Sequence, residues 1–365
     1  MRHKPIFLTL FWTLFFASSI SSAGAAQGDF TPTLCQNANG AYYRAGLFPQ
    51  FKDTNNRLVL ANWNTGETVL TLAESLPYQY RFEWSPDCHY LIGISLHYYD
   101  WLARCDAGLF AWDAVSGEQK LAVNRFCDNV VASRPRIFWR PDATAALFSE
   151  WCSVSGVAYS CGTRFIWYPQ TDQRVDLQEQ EPGGAYVRVT LDMVAWDDSR
   201  GWLWANTGVG IAAFDRATGA VVRNFRNPPQ DDTYPSYTRS SFVFSPDQTK
   251  VIAYGQHSWD GYESAATTVY DIASGTPTQV NVERNGAGIV ALSSDNRYLV
   301  MGYTALRVWD LSNLPANVED RLPIRRIGIG GERIVGLHFV SGTMVEVTTQ
   351  LGTDTWDILT GAFIS

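Results

Sequence analysis

At 365 residues with 46% apolar composition, the chain is long enough to bury a full core as one large β domain or two ordinary ones. Aromatics make up 14% of it, fourteen of them Trp, which leans towards β structure. The formal charge is −8 and no Lys/Arg cluster exists to displace phosphate counterions, which argues against a nucleic-acid partner.

The first element is a leader. MRHKP supplies a basic start, residues 6–17 (IFLTLFWTLFFA) about twelve apolar residues, and Ala23-Gly24-Ala25 an A-x-A cleavage site, so residues 1–26 are expected to be a signal peptide cut near Ala25 or Ala26. Twelve residues are too few for a stable bilayer span. Removal of Arg2 and Lys4 leaves 26 basic against 36 acidic residues, or −10, on a mature chain expected to be exported, periplasmic or secreted, with no membrane insertion.

Beyond the leader, short apolar runs close on an aromatic at Trp63, Trp112, Trp167, Phe214, Tyr270, Trp309 and Trp356, at spacings of 49, 55, 47, 56, 39 and 47. The mean is somewhat above the roughly 40–45 residues of four-stranded propeller blades. A second marker precedes this one in each unit after the first: FEWSPD (82–87), FWRPD (138–142), VAWDD (194–198), FVFSPD (242–247), ALSSD (291–295) and, weakly, HFVSG (338–342). Pro sets the backbone for a turn, and the Asp of Asp87, Asp142 and Asp247 bonds back to nearby amides, so these carboxylates read as turn caps. Each unit therefore reads as four strands, a to d from the inside out. Strand a ends at the S-P-D turn, c ends on the aromatic, and D-x-x-[S/T]-G forms a tight c–d hairpin whose Gly takes a positive φ. In the first unit FTPTLC (30–35) and GAYYRAGLF (40–48) would supply a and b. In the last, AFIS (362–365) would supply a short d, unless the N-terminal segment pairs outside strand c there.

Trp112-Asp113, Trp309-Asp310 and Trp356-Asp357, with the chemically similar Phe214-Asp215 and Tyr270-Asp271, give a chain that resembles the WD-repeat family of β-propellers. No Gly-His dipeptide occurs, so that family's buried His, Asp, Ser/Thr and Trp network is not carried over. The expected fold is all-β, a seven-bladed propeller of four-stranded antiparallel blades over 27–365. Its approximate blades are 29–76, 77–130, 131–182, 183–229, 236–284, 285–330 and 331–365.

Six cysteines in an exported chain read as disulfides. In a four-stranded blade the a–b and c–d turns share one face and the b–c and d–a loops the other. Cys35 and Cys88 fall on the first face, Cys105 and Cys127 on the second, and Cys152 and Cys161 flank one b–c connection, so these three pairings are expected.

The chain carries no G-x-S-x-G elbow, phosphate loop or H-E-x-x-H, and no C-x-x-C spacing, so no catalytic residue, metal or cofactor is assigned. His89 in a turn and His338 on a strand read as structural. A repeat protein places its specificity in the loops that break the period. Three b–c loops are long, 96–108, 151–162 and 255–266, and the d–a loop 227–238 joins them on the same face. They hold His97, Tyr98, Tyr99, Asp100 and Trp101, then Tyr234 and Tyr237, then His257, Trp259, Asp260 and Tyr262. Exposed aromatics beside carboxylates suit a protein, peptide or glycan partner; the alternative is that they fold back as a satellite core. The function expected is therefore a non-enzymatic interaction module or scaffold, with an axial hydrolase, lactonase or quinoprotein-type dehydrogenase as the rival. The apolar strand a segments count against that rival.

Overall fold

The structure is a computed structural model. It describes residues 47–52, 57–62, 65–74, 80–95, 108–123, 136–149, 152–154, 157–159, 164–178, 189–207, 210–226, 239–259, 262–280 and 288–365, with side chains for most of them. All lie within the compact unit Thr33–Ser365.

Seven antiparallel sheets follow one another along the chain. Sheet 1 holds β1 (Leu47–Lys52), β2 (Arg57–Asn62) and β3 (Thr68–Ala73), and sheet 2 holds β4 (Tyr80–Trp84), β5 (Tyr90–Ser95), β6 (Gly108–Asp113) and β7 (Gln119–Val123). In sheet 3, β8 (Arg136–Trp139) and β9 (Ala146–Ser149) are followed by a separate ribbon of β10 (Cys152–Val154) and β11 (Val157–Tyr159) before β12 (Arg164–Tyr168) and β13 (Gln173–Asp176) complete the sheet. Sheet 4 is β14 (Val189–Asp197), β15 (Trp202–Thr207), β16 (Gly210–Asp215) and β17 (Val221–Arg226). Sheet 5 is β18 (Arg239–Phe244), β19 (Lys250–Trp259), β20 (Tyr262–Asp271) and β21 (Pro277–Val280). Sheet 6 is β22 (Ile289–Leu292), β23 (Tyr298–Gly302), β24 (Ala305–Asp310) and β25 (Arg325–Gly328), and sheet 7 is β26 (Gly336–Phe339), β27 (Met344–Thr348) and β28 (Thr353–Asp357).

Six apolar clusters join these sheets, each bridging one consecutive pair. Leu58 and Leu60 of sheet 1 meet Phe82, Leu91 and Trp112 of sheet 2. Ile92 and Ala111 meet Phe148 and Trp167 of sheet 3, and Leu147 and Ile166 meet Leu203 and Phe214 of sheet 4. Trp204 and Phe225 meet Phe242 and Tyr270 of sheet 5, Ile252 and Val269 meet Leu299 and Trp309 of sheet 6, and Val300 and Val308 meet Val345, Val347 and Trp356 of sheet 7. Strand periodicity explains how one sheet serves two neighbours: along β6, Phe110 and Trp112 face sheet 1 while Leu109 and Ala111 face sheet 3. In all six seams the strand c aromatic points to the preceding sheet. A side chain of this size contributes roughly 1.5–3 kcal/mol when fully buried. Seven sheets, each sealed to the next on alternate faces of its own strands, make the chain an all-β, seven-bladed propeller.

Three expectations need correction. Gly66 donates to the Asn62 carbonyl at 2.7 Å, and Thr65 N–H donates to Asn62 Oδ1 at 3.2 Å, so Asn62 fills the role that Asp113 fills in sheet 2. The buried Ala61 therefore stands where the other sheets carry their aromatic, and Trp63 comes two residues after it in sequence. Strand b of sheet 1 is Leu47–Lys52 rather than 40–48, and 30–35 lies outside the described residues. The stretch 255–266 is not a loop, because β19 and β20 stay paired up to Trp259 opposite Tyr262.

At the other end, 362–365 does pair with β28. A bridge joins Trp356 and Phe363, Ile364 N–H donates to the Thr355 carbonyl, and Thr355 N–H donates to that of Ser365. The position outside strand c of sheet 7 is thus occupied by the chain's own last residues.

Candidate functional site

The a–b and c–d turns of sheets 2, 4 and 5 are built as the sequence suggests and are tied to each other. In the a–b turns, Asp87 accepts from Ser85 Oγ at 2.6 Å and from His89 N–H at 3.1 Å. Asp247 accepts from Ser245 Oγ and Thr249 N–H, and Asp295 from Ser293 Oγ and Arg297 N–H. The next residue in these turns and in the turn of sheet 3 holds a left-handed backbone without being Gly: Cys88, Ala143, Gln248 and Asn296, with φ of 61°, 59°, 57° and 59°. In the c–d turns the carboxylates of Asp113, Asp215, Asp271 and Asp357 accept amides two or three residues on, and Gly117, Gly219, Gly275 and Gly361 follow at positive φ.

A clamp then locks the two turns of one sheet together. The residue before strand b offers its carbonyl to the amide after the c–d Asp: His89 to Ala114, Gly201 to Arg216, Thr249 to Ile272, Arg297 to Leu311 and Thr343 to Ile358. Side chains reinforce it through His89 Nε2 to Asp113 Oδ2 at 3.1 Å, Lys250 to Asp271 at 3.4 Å and Arg297 to Asp310 at 2.8 Å. The Arg297 guanidinium and the Ser312 hydroxyl and amide hold the Asp310 carboxyl down at about 2.

Adjacent turns are also linked from sheet to sheet. Arg140 Nη2 of sheet 3 donates to Asp198 Oδ2 of sheet 4, whose Oδ1 takes Arg216 Nη1 of its own sheet, both at 2.8 Å. Arg200 Nη2 reaches the Gln248 carbonyl at 2.7 Å, and Asn296 Nδ2 reaches Asp247 Oδ2 at 2.6 Å. Asp247 is held well below the usual carboxylate range. Burial pushes it up, but the bonds from Ser245, Thr249 and Asn296 outweigh that.

Between the a–b turns of sheets 4 and 5 this end opens a cleft of about 220 Å³, lined by Trp196, Asp197, Asp198, Ser199, Phe244 and Gln248. Burial pushes the Asp197 carboxyl up, yet bonds from Ser199, Arg200 and the Trp204 indole hold it below its ordinary value. Sequence reading passed over this cleft because each wall is repeat punctuation. The signal that marks it is VAWDDSRG at 194–201, a four-residue variant of the turn with adjacent carboxylates.

Of the residues singled out from sequence, His97, Tyr98, Tyr99, Asp100, Trp101, Tyr234, Tyr237 and Asp260 lie outside the described residues. The backbone places His257 opposite Ser264 and Trp259 opposite Tyr262. Among the described residues, β18 pairs with β19 as far as Gln256, and β21 pairs with β20 from Thr267. Residues 257–259 and 262–264 therefore form a two-stranded arm that runs about 10 Å past the four-stranded part. The ribbon β10–β11 is a second such arm, within the stretch 151–162. Cys88 is buried and disulfide-bonded, with its partner outside the described side chains. Cys152 lies on β10 by its backbone, and Cys35, Cys105, Cys127 and Cys161 lie outside the described residues. Among the described residues no cluster of His, Cys, Asp and Glu could hold a metal ion, and no helix is long and apolar enough to cross a membrane.

No protein-family model and no curated protein matches the chain. Among solved structures it is similar to hydrazine synthase of Kuenenia stuttgartiensis, at 14% identity over 92% of this chain and 99% of that one, with a TM-score of 0.39. It is also similar to the β-propeller domain of Cps50 (Swd1) from Myceliophteria thermophila, at 12% identity over 85% and 92%, with a TM-score of 0.37. The propeller assignment rests on the sheet order and the six seams, not on these likenesses.

Proposed function

We propose that this chain is an exported, non-enzymatic propeller that binds a protein, peptide or glycan through the end opposite the clamped turns, where the b–c connections of sheets 2 and 3 are long and strands b and c of sheet 5 extend as an arm. The observation that carries the reading is the arm of sheet 5: among the described residues β19 and β20 run on past both their neighbours and bring the positions of His257, Trp259 and Tyr262 into one short ribbon. A scaffold that needed only a closed sheet would end these strands at Gln256 and Thr267. The non-enzymatic part is supported by the inner strands, whose Phe82, Phe138, Val194, Phe242 and Val290 are committed to the seams. Export is supported by the leader and by the bonded Cys88, for which Cys35 is the proposed partner, with Cys105–Cys127 and Cys152–Cys161 as the other pairs. The repeat itself we place near the WD-repeat pattern, with the a–b turn residue substituting for Gly-His.

The test is affinity capture from the native extracellular or periplasmic fraction with wild type and a Trp101→Ala/Trp259→Ala double variant, following the melting temperature of both. Loss of the wild type's partners at unchanged melting temperature is the expected result. Retention of the same partners by the double variant would remove the arms from the reading.

A further inference from the structure

The outer strands of sheet 6 break a rule of strand pairing. Arg307 of β24 stands directly opposite Arg326 of β25, and like charges in a cross-strand pair repel. Leu306, Val308 and Ile327 turn to sheet 7 while Met301 and Trp309 turn to sheet 5, so strand alternation puts both arginines on the sheet 5 side. Among the described residues the Arg307 side chain has neither a hydrogen bond nor an ion pair. Arg140, Arg200 and Arg297, by contrast, are each matched to a carboxylate.

The backbone beside this pair is bare. The next pair on the same side, towards the b–c end, is Ala305 and Gly328, and a Cβ added at Gly328 would meet nothing within 4 Å. Packing does not ask for that glycine. The chain then runs through Gly330 and Gly331, both left-handed at φ of 82° and 83° and both in open space. Among the described residues none of the four amides from Gly330 to Arg333 finds an acceptor, whereas Ile334 N–H anchors the connection to the Tyr303 carbonyl at 2.7 Å. Arg333 lies over the Tyr303 ring at 5.8 Å. A row of unpaired amides on left-handed glycines is the kind of concavity in which backbone N–H groups take anions. Within 322–345 the lone carboxylate, Glu332, faces three arginines in sequence, so the stretch is basic in a chain of formal charge −8.

We propose that this edge of sheet 6 binds an oxyanion, the sulfate or phosphate ester group of a larger ligand, with Arg307 and Arg326 as charged donors, the amides of Gly330 to Arg333 as neutral ones and Arg333 as a third charge. Such an ester carries three terminal oxygens, which guanidinium forks and amides can share. The guest offsets the repulsion that the empty pair carries. The d–a connection puts this site at the same end as the arm of sheet 5, and assigning the ester to the ligand of the arms rests on the binding reading above.

The test titrates the full chain, ¹⁵N-labelled at glycine, with glucose 6-sulfate, glucose 6-phosphate and glucose, and follows the Gly330 and Gly331 amide resonances. The expected result is a saturable shift with at least one ester, weakening with added salt, and none with glucose; the tighter ester tells sulfate from phosphate. Arg307→Gln is expected to weaken that ester about tenfold and, because it removes the like-charge pair, to leave the melting temperature unchanged or higher. Glu332→Gln is expected to tighten it several-fold. No saturable shift with either ester, an equal response to glucose, unchanged affinity in both variants, or a lower melting temperature in Arg307→Gln would each overturn the proposal. None of these outcomes depends on Trp101 or Trp259, so failure here is distinct from failure of the arms.

Discussion

The seam between sheets 4 and 5 and the far face of sheet 7 are built from the same kind of strand and behave as opposites. At the first, Trp204, Phe225, Phe242 and Tyr270 interlock, with Phe225 and Tyr270 stacked at 4.8 Å, and burial drives the Tyr270 hydroxyl up to about 12. At the second, the side chains alternating with Leu337, Val345 and Val347 are His338, Met344, Glu346 and Thr348, with Thr353 and Thr355 beside them on β28. His338 and Glu346 pair at 3.2 Å while 61% and 36% exposed. Six sheet pairs are held by apolar area, and the last sheet offers polar side chains instead. The difference teaches that stability in this fold is a sum over seams rather than a property of each sheet, and that sheet 7, whose apolar seam among the described residues is with sheet 6 alone, is expected to open first.

Substitutions that break this contrast rank by seam. Trp204→Ala, at the centre of the 4/5 seam, is expected to cost about 3–5 kcal/mol in denaturant unfolding. Gly219→Ala comes next. Its backbone is left-handed at φ 72° and an added Cβ would meet the Asp176 carbonyl of sheet 3, so a loss of about 2–3 kcal/mol is expected; Gly66→Ala, at φ 70° with open space around it, should lose only about 1 kcal/mol.

A pH titration sharpens the picture in sheet 6. The Asp310 carboxyl is depressed from the ordinary 3.8 to about 2, so the unfolded chain binds that proton more readily than the folded one. Its contribution is complete above about pH 4 and is lost as pH falls towards 2. Arg297 is half exposed, which limits the effect to the order of 1 kcal/mol. Asp310→Asn should remove that part of the acid slope in melting temperature, and an unchanged slope would contradict it. Smaller still, Gln248→Gly relieves a left-handed non-Gly residue on an exposed turn and is expected to gain about 0.5 kcal/mol. His338→Ala, on the exposed pair of sheet 7, should change stability by less than about 0.5 kcal/mol.

Much of this was legible in the sequence because tight turns demand particular residues. Asp113 and Gly117, or Asp271 and Gly275, report a left-handed turn where they recur in sheets 2, 4, 5 and 7, and together with the S-P-D turns that periodicity marks out the sheets. Aromatics are a poorer ruler. Trp63 misled the alignment of sheet 1 because packing there accepts Ala61, while the turn kept its own register in Asn62 and Gly66. The arms were read as loops because HSWDGYES is polar and has no apolar run. Yet Asp260-Gly261 and Ser155-Gly156, each between directly paired residues, are the two-residue hairpin signals that mark them. Of the cleft only one wall was legible, in VAWDDSRG at 194–201, since Asp198 and Gln248 are far apart in sequence and line one recess only because sheet 4 seals against sheet 5.

Hydrogen exchange resolved strand by strand bears most directly on the claim that apolar seams, not individual sheets, hold the propeller together. The account predicts slowest exchange in β15, β16, β19 and β20 near Trp204 and Tyr270, with β26 to β28 exchanging at least about a hundredfold faster. Protection in β26 to β28 equal to that in β15 and β16 would contradict it.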